Sequence, residues 1–136
     1  MYRKLFMILL TLIITMVAIA QKHECARFKT GTFKLLDTPS ENYLIVRNDT
    51  IQWESAKNSI IQSEFYIRWT DNCRYELTLK KIHNRPAGLK MPDDKMVLFV
   101  NIYKVSGDTC WVETGSNLSS FTKKNRMLKI KNSYNE

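Results

Sequence analysis

The stretch FYIRWTDNCRYELTL, residues 65–79, contains two segments of alternating apolar and polar residues on either side of a polar turn. The apolar residues occupy positions 65, 67 and 69 before the turn and positions 75, 77 and 79 after it. Alternation with a period of two predicts a β-strand with one buried face. The stretch therefore predicts a β-hairpin whose turn contains Cys73.

The register of this hairpin follows from the rule that directly opposed residues share a face of the sheet. A two-residue loop would place Trp69 opposite Arg74 and would mix apolar with charged residues along the whole hairpin. A three-residue loop at 71–73 brings the two apolar faces together. The pairs it predicts are Trp69 with Tyr75, Ile67 with Leu77 and Phe65 with Leu79 on the apolar face, and Arg68 with Glu76 and Glu64 with Lys80 on the outer face.

Two further stretches predict hairpins by the same rule. In YLIVRNDTIQWE, residues 43–54, a two-residue turn at 48–49 places Arg47, Gln52 and Glu54 on the outer face. The pairs predicted there are Val46 with Ile51 and Leu44 with Trp53. In VLFVNIYKVSGDTCWVE, residues 97–113, a turn at 107–108 predicts the pairs Val105 with Cys110 and Tyr103 with Val112.

Alternation continues through most of the chain, and no segment of twelve residues shows a helical stripe of apolar residues. The chain is therefore predicted to be all-β, as a small eight-stranded antiparallel up-and-down barrel, lipocalin-like, with a two-sheet β-sandwich as the alternative. An interior filled by large side chains is preferred over a ligand cavity. The predicted strands lie near residues 27–36, 43–47, 50–55, 61–70, 74–82, 96–105, 109–114 and 120–131.

The N-terminal segment has the layout of a signal peptide. Arg3 and Lys4 precede an apolar run at 5–20 that ends in Ala-Ile-Ala, so we expect cleavage before Gln21. The alternative, an uncleaved membrane anchor, is disfavoured because the run of sixteen residues is shorter than the roughly 20 that span a bilayer. We expect a signal peptide at 1–20, a single β domain at 21–136, and export to the periplasm or the extracellular space.

The composition is basic. Removal of residues 1–20 leaves 19 basic residues against 13 acidic ones, a formal charge of +6. Such a charge favours anionic partners in general. The partners considered are an anionic envelope component or a small apolar ligand. Nucleic acid is not expected, because the protein is expected to be exported and because the basic stretch KKNRMLKIK, residues 123–131, has no interleaved aromatic residues. Membrane contact is expected only through the signal segment, if it is not cleaved.

The three cysteines, Cys25, Cys73 and Cys110, are expected to form one disulfide after export and to leave one thiol, buried or bonded to another molecule. If neighbouring strands alternate in direction, all three lie at one end of the sheet. Cys25, on the free leader, reaches most easily, and Cys73 is slightly preferred as its partner over Cys110. The cysteine spacing lacks the paired ligands of a zinc site, and no metal is expected.

Catalytic chemistry has no visible motif in this sequence. His23 and His83 are the only histidines, and both are expected to be solvated. No nucleophile elbow and no glycine-rich phosphate loop occur, so no catalytic residue and no cofactor are predicted. Arg47, Gln52 and Glu54 form a polar row that an ordinary outer sheet face explains, with a surface binding row as the alternative.

Four stretches carry a resemblance: CARFKTGTFKL, YLIVRNDTIQWE, IRWTDNCRYELTL and DTCWVE. Together they resemble an uncharacterised family of small exported proteins of Bacteroidota-type bacteria. The resemblance implies export and the fold rather than an activity. Some members carry an automatic label as a type IV topoisomerase subunit, whose tyrosine nucleophile, metal-binding cluster and ATPase fold cannot be accommodated in a small exported β domain.

These observations favour a non-enzymatic exported β-barrel that binds a ligand or a partner in the cell envelope. The alternative is a protein-interaction module that uses an exposed strand or the free thiol. A hydrolase with an unfamiliar site ranks below both.

Overall fold

The computed structural model describes residues 6–7, 24–39, 43–56 and 59–130, so the predicted cleavage site at Gln21 lies outside the described residues. Eight antiparallel strands follow one another around a closed up-and-down barrel, in which the last strand pairs with the first. The predicted barrel is confirmed. The strands are β1 (Gly31–Leu35), β2 (Tyr43–Arg47), β3 (Ile51–Ala56), β4 (Gln62–Trp69), β5 (Arg74–His83), β6 (Val97–Ser106), β7 (Thr109–Ser116) and β8 (Ser119–Ile130).

The first strand begins later than predicted, because residues 24–26 form a helical turn. The amides of Arg27 and Phe28 donate to the carbonyls of Glu24 and Cys25 in this turn. Phe28 is fully buried, and its ring stacks on the ring of Phe33 in β1. The leader therefore covers one end of the barrel.

The β4–β5 hairpin has the predicted register for Trp69–Tyr75, Ile67–Leu77, Phe65–Leu79 and Arg68–Glu76. Its turn is closed by the amide of Thr70, which donates to the carbonyl of Arg74, and the side chain of Asp71 accepts two further amides. The prediction for Glu64 is wrong in register, because a bulge between Glu64 and Phe65 sets Glu64 opposite Lys81. Its carboxylate nevertheless binds the Lys80 ammonium, at 2.7 Å.

The predicted register of the β2–β3 hairpin is wrong. Arg47 pairs with Gln52, and Val46 with Trp53, so the loop holds four residues instead of two. The cause is Asn48, whose side-chain oxygen accepts the amides of Thr50 and Ile51 and stabilises the wider turn. Both registers keep the same residues on each face, but the buried face is the opposite of the predicted one: Val46 is 42% exposed, whereas Arg47 and Gln52 are buried inside the barrel.

The β6–β7 hairpin is predicted correctly near its turn, where Val105 pairs with Cys110. Beyond this pair the register shifts between Ile102 and Lys104, so Val112 lies opposite Ile102 and the predicted Tyr103–Val112 pair is wrong. The extra residue, Tyr103, is directed outwards and is 38% exposed. A bulge of this kind cannot be seen in the alternation pattern, because both faces of β6 are apolar.

The two ends of the barrel differ. The end formed by the helical turn at 24–26 and the loops 48–50, 70–73 and 107–108 is called here the closed end. The other end, where the described loop residues 36–39, 59–61, 84–96 and 117–118 lie, is called the open end. There β5 pairs with β6 only through 74–78, and β8 pairs with β1 only through 127–130, so the strands part towards the open end.

The three cysteines lie together at the closed end, as predicted. Cys25 of the helical turn forms a disulfide with Cys73 of the β4–β5 turn, the preferred pairing. Cys110 keeps a free thiol that is completely buried in the same apolar cluster. The buried core residues of the described chain are Cys25, Phe28, Phe33, Ile45, Phe65, Ile67, Tyr75, Leu77, Val100, Ile102, Cys110, Val112 and Met127.

Candidate functional site

The polar row predicted on the outer surface lies inside the barrel, as one hydrogen-bonded chain. Arg47 Nε donates to Gln52 Oε1 at 2.8 Å, and Gln52 Nε2 donates to Glu54 Oε1 at 2.6 Å. Glu54 also accepts the hydroxyl of Tyr43 at 2.7 Å. The chain runs from half-buried Tyr43 and Glu54 to Arg47, which is 3% exposed.

Arg47 makes further contacts that come from distant parts of the sequence. Its two terminal nitrogens donate to the carbonyl of Phe28 and to the hydroxyl of Tyr75, each at 2.8 Å. The guanidinium carbon also lies 4.5 Å from the ring centre of Tyr75, 5.1 Å from that of Phe33 and 5.7 Å from that of Trp69. Planar guanidinium groups combine this stacking with in-plane hydrogen bonds.

This arrangement explains how a cation can be buried at the closed end. The charge of Arg47 is balanced through Gln52 by the carboxylate of Glu54, and each nitrogen of the guanidinium has an acceptor. Burial, followed by the charge of Glu54, raises the pKa of Tyr43 well above its usual value, so its hydroxyl stays protonated and donates. The chain acts as a polar plug that joins β2 and β3 to β5 and to the leader.

A groove of about 380 Å³ lies on the outer wall formed by β5 to β8. Pockets of roughly 300 to 1,000 Å³ are the usual size for small-molecule sites. The residues that line it are Thr70, Arg74, Tyr75, Glu76, Phe99, Val100, Asn101, Glu113, Gly115, Ser116, Ser119 and Thr122. These residues could not be identified from the sequence, because their alternation is that of an ordinary outer face.

The groove exists because β7 and β8 are irregular at this point. Gly115 lies opposite Phe99 of β6, and on its other side β8 has three residues, 120–122, where a regular ladder would have one. Gly115 has no side chain, so the space between Phe99 and Thr122 stays open. A Cβ atom at Gly115 would meet only the methyl carbon of Thr122, at 3.4 Å.

Polar groups surround the apolar floor of the groove. Arg74, Asn101 and Glu113 lie side by side across three strands. Glu113 accepts the hydroxyl of Thr122 at 3.2 Å, and the ring of Phe99 is 45% exposed. The groove therefore combines one apolar surface with a guanidinium, an amide, a carboxylate and a hydroxyl, a donor and acceptor set suited to a small polar molecule with an apolar face.

A charged cluster lies elsewhere on the outer wall, on β4 and β5. Glu64 is 8% exposed and binds Lys80 Nζ at 2.7 Å and His83 Nε2 at 2.8 Å. These hydrogen bonds, that of Lys80 first, lower the pKa of Glu64 below its usual value. The expectation that His83 is solvated is met in part, since one third of its side chain is exposed while Nε2 binds Glu64. His23 lies outside the described residues.

Metal and thiol chemistry have little support in the described residues. Within them, no group of three or more His, Cys, Asp or Glu side chains could hold a metal ion. The disulfide uses two of the three cysteines, and burial raises the pKa of the remaining thiol, that of Cys110, to about 12. A thiol that is buried and protonated at neutral pH is a poor nucleophile.

The comparisons with known proteins add no relative: no family model, curated protein or solved structure matches this chain. Among the helices of the described residues, none has the length and apolarity to cross a membrane. The structural evidence for a function is therefore the geometry of the barrel itself.

Proposed function

We propose that this protein is a non-enzymatic β-barrel that is exported to the cell envelope and binds a small polar ligand in the groove on the outer wall of β5 to β8. The observation that carries the proposal is the open space of about 380 Å³ above Gly115, beside the exposed ring of Phe99. Aromatic rings bury apolar ligand surface, and the planar polar groups around them fix its orientation.

The interior is a weaker candidate for the ligand site. At the closed end it is filled by large buried side chains, including Phe28, Phe33 and Met127, and by the guanidinium of Arg47. All three nitrogens of this guanidinium already have hydrogen-bond acceptors in the chain, so a ligand would have to replace existing bonds. The polar row of Arg47, Gln52 and Glu54 is thus better explained as structural than as a binding row.

Native mass spectrometry of the protein purified from its own periplasm tests the proposal. We expect a retained small molecule on the wild-type protein, and its loss from a Gly115→Leu variant, whose side chain would fill the groove. Val46→Leu, which adds bulk at an exposed position on β2, is the matched control and should keep the molecule. A molecule retained by both variants would contradict the groove, and a bare wild-type polypeptide would contradict ligand binding.

An interaction module is the second candidate, and one observation favours it. Within the described residues, the pairing of β8 with β1 covers only 127–130, and a strand edge that extends past its partner is a place where another chain can pair. The thiol version of the hypothesis is poorly supported, because Cys110 is completely buried. A homodimer or a bound protein in the same mass spectra would favour this candidate.

A further inference from the structure

The loops of the open end and the first residues of β8 carry exposed large apolar side chains. Phe121 is 74% exposed and Ile60 is 76% exposed, values unusual for residues of this type in a folded domain. By contrast, the closed-end loops, described throughout at 24–30, 48–50, 70–73 and 107–108, expose no large apolar side chain. The set is called here the apolar rim: Leu36, Ile60, Leu89, Met91, Leu118 and Phe121.

Basic residues lie among the side chains of the apolar rim. Within the described part of this end, the five exposed cations of the 84–96 loop and of the outer part of β8 outnumber the three acidic residues Asp37, Asp93 and Asp94. The loops of the closed end are more acidic: they hold four acidic residues, Glu24, Asp49, Asp71 and Asp108, and two basic ones, Arg27 and Lys29, whereas the described open-end loops hold three of each. The exposed basic residues at the open end are Arg85, Lys90, Lys95, Lys123 and Lys124.

Part of the apolar rim is held on a rigid support. Asn117, in the β7–β8 turn, accepts the amide of Val97 and donates to the carbonyl of Lys95, each at 2.8 Å. Phe121 lies in the irregular segment of β8, where its amide donates to the hydroxyl of Ser119. The β7–β8 hairpin therefore presents Leu118 and Phe121 beyond the point where β1 ends.

We infer that the apolar rim is a docking face for the surface of an anionic lipid bilayer. Apolar side chains that project from a rim can enter the boundary between headgroups and acyl chains, while neighbouring lysines bind the phosphates. Charge complementarity selects a bilayer over a protein partner, because lysine is depleted from protein interfaces whereas it is common at the membrane surface. The inference rests on the proposed export. It adds a membrane contact that is separate from the one expected through an uncleaved signal segment.

Co-sedimentation with vesicles tests this inference. The exported wild-type protein is mixed with vesicles of phosphatidylcholine alone, or with about one third phosphatidylglycerol, at low salt and at about 0.5 M sodium chloride. We expect binding to the anionic vesicles that weakens at high salt. Two double variants, Leu118→Ser with Phe121→Ser and Lys123→Glu with Lys124→Glu, should each weaken binding about tenfold or more.

Matched controls separate the rim from general effects of charge and apolarity. Arg68→Glu with Lys104→Glu makes the same change in net charge near the closed end, and Val46→Ser removes an exposed apolar side chain from the wall. Both should bind like the wild type, as should Gly115→Leu, which distinguishes this face from the groove. The inference would be overturned if the rim and control variants weakened binding equally, or if the wild type did not bind anionic vesicles. It would also be overturned if the rim bound another protein but not vesicles.

Discussion

The closed and open ends of this barrel are formed by the same strands, but they differ in how far the interior is covered and in which side chains face the solvent. At the closed end the leader, a disulfide and the polar chain of Arg47 cover the interior, and large side chains there are completely buried. At the open end the strands part, and apolar side chains face the solvent. The comparison indicates that stability is concentrated at one end, which leaves the other free to carry contacts that do not serve the fold.

Two arginines show the same contrast. Arg47 is buried and hydrogen-bonded to groups from three different segments, whereas Arg126 near the open end forms an exposed pair with Asp37 at 2.7 Å. Buried cations are costly to leave unpaired, and exposed pairs contribute little. The stability of the two ends should therefore respond very differently to the same substitution.

The largest expected effect is that of Arg47→Met. The substitution leaves the Phe28 carbonyl, the Tyr75 hydroxyl and the Gln52 side-chain oxygen without their donor, and the Glu54 carboxylate without the buried cation that balances its charge. We expect a loss of about 3–5 kcal/mol in the free energy of unfolding. Arg126→Met, the matched control, should lose about 1 kcal/mol or less. Urea unfolding followed by tryptophan fluorescence measures both, and equal losses would break the comparison between the two ends.

Removal of the disulfide should come next. Cys25→Ser with Cys73→Ser opens a bridge between residues that are 48 positions apart in sequence, and we expect a loss of about 2–4 kcal/mol. Hydrogen exchange should quicken first at residues 24–30, which the bridge holds against the barrel. A reducing agent should destabilise the wild type but not this variant; if it has no effect on either, the bridge is not a major stabilising contact.

Alkaline pH should lower the free energy of unfolding through the thiol of Cys110 at the closed end. Its folded-state pKa is raised to about 12 from 9.0, so its contribution to stability is complete below pH 9 and is lost as the pH rises towards 12, because the unfolded chain ionises first. The difference in unfolding free energy between the wild type and Cys110→Ala should therefore shrink across this range. Native Cys110 should also react with Ellman's reagent only at the rate of unfolding, and rapid reaction would contradict its burial.

The smallest expected effect is the loss of stability in acid when Glu64, on the outer wall near the open end, becomes protonated. Lys80 and His83 hold the pKa of Glu64 below its usual 4.5. Since the folded value is the lower one, the stabilisation is present above pH 4.5 and is lost as the pH falls through the folded value. Glu64→Gln should be less stable than the wild type at neutral pH and equal to it in strong acid, as measured by thermal unfolding; a constant difference would show that the carboxylate charge is not involved.

The accuracy of the sequence predictions depended on how clearly each strand separates its two faces. In β4 and β5 every apolar residue near the turn falls on one face, so only one loop length aligned the faces, and that register is correct. In β2 the apolar residues Leu44, Ile45 and Val46 are consecutive, and neither face is purely polar. The loop length then depended on the side-chain bonds of Asn48, which the alternation pattern does not contain.

The groove and the apolar rim could not be predicted for a related reason. Phe99, Gly115 and Thr122 come from three strands, and the space between them depends on an irregular segment of β8. Leu36, Ile60 and Leu118 lie in separate loops, which only the closure of the barrel brings to one end. Such sites depend on pairing between strands, whereas period-two patterns report one strand at a time.

The amino-acid sequence by itself determined that this chain forms eight antiparallel strands with its cysteines at one end, because alternation and turn residues act locally along each hairpin. Only the tertiary structure decided that these strands close into a barrel instead of a two-sheet sandwich, and which face of β2 and β3 is buried. Arg47 could enter the interior because Phe28 and Tyr75, far away in sequence, supply its acceptors there. A buried charge is stable only when its partners are in place, and the closed barrel brings those partners together.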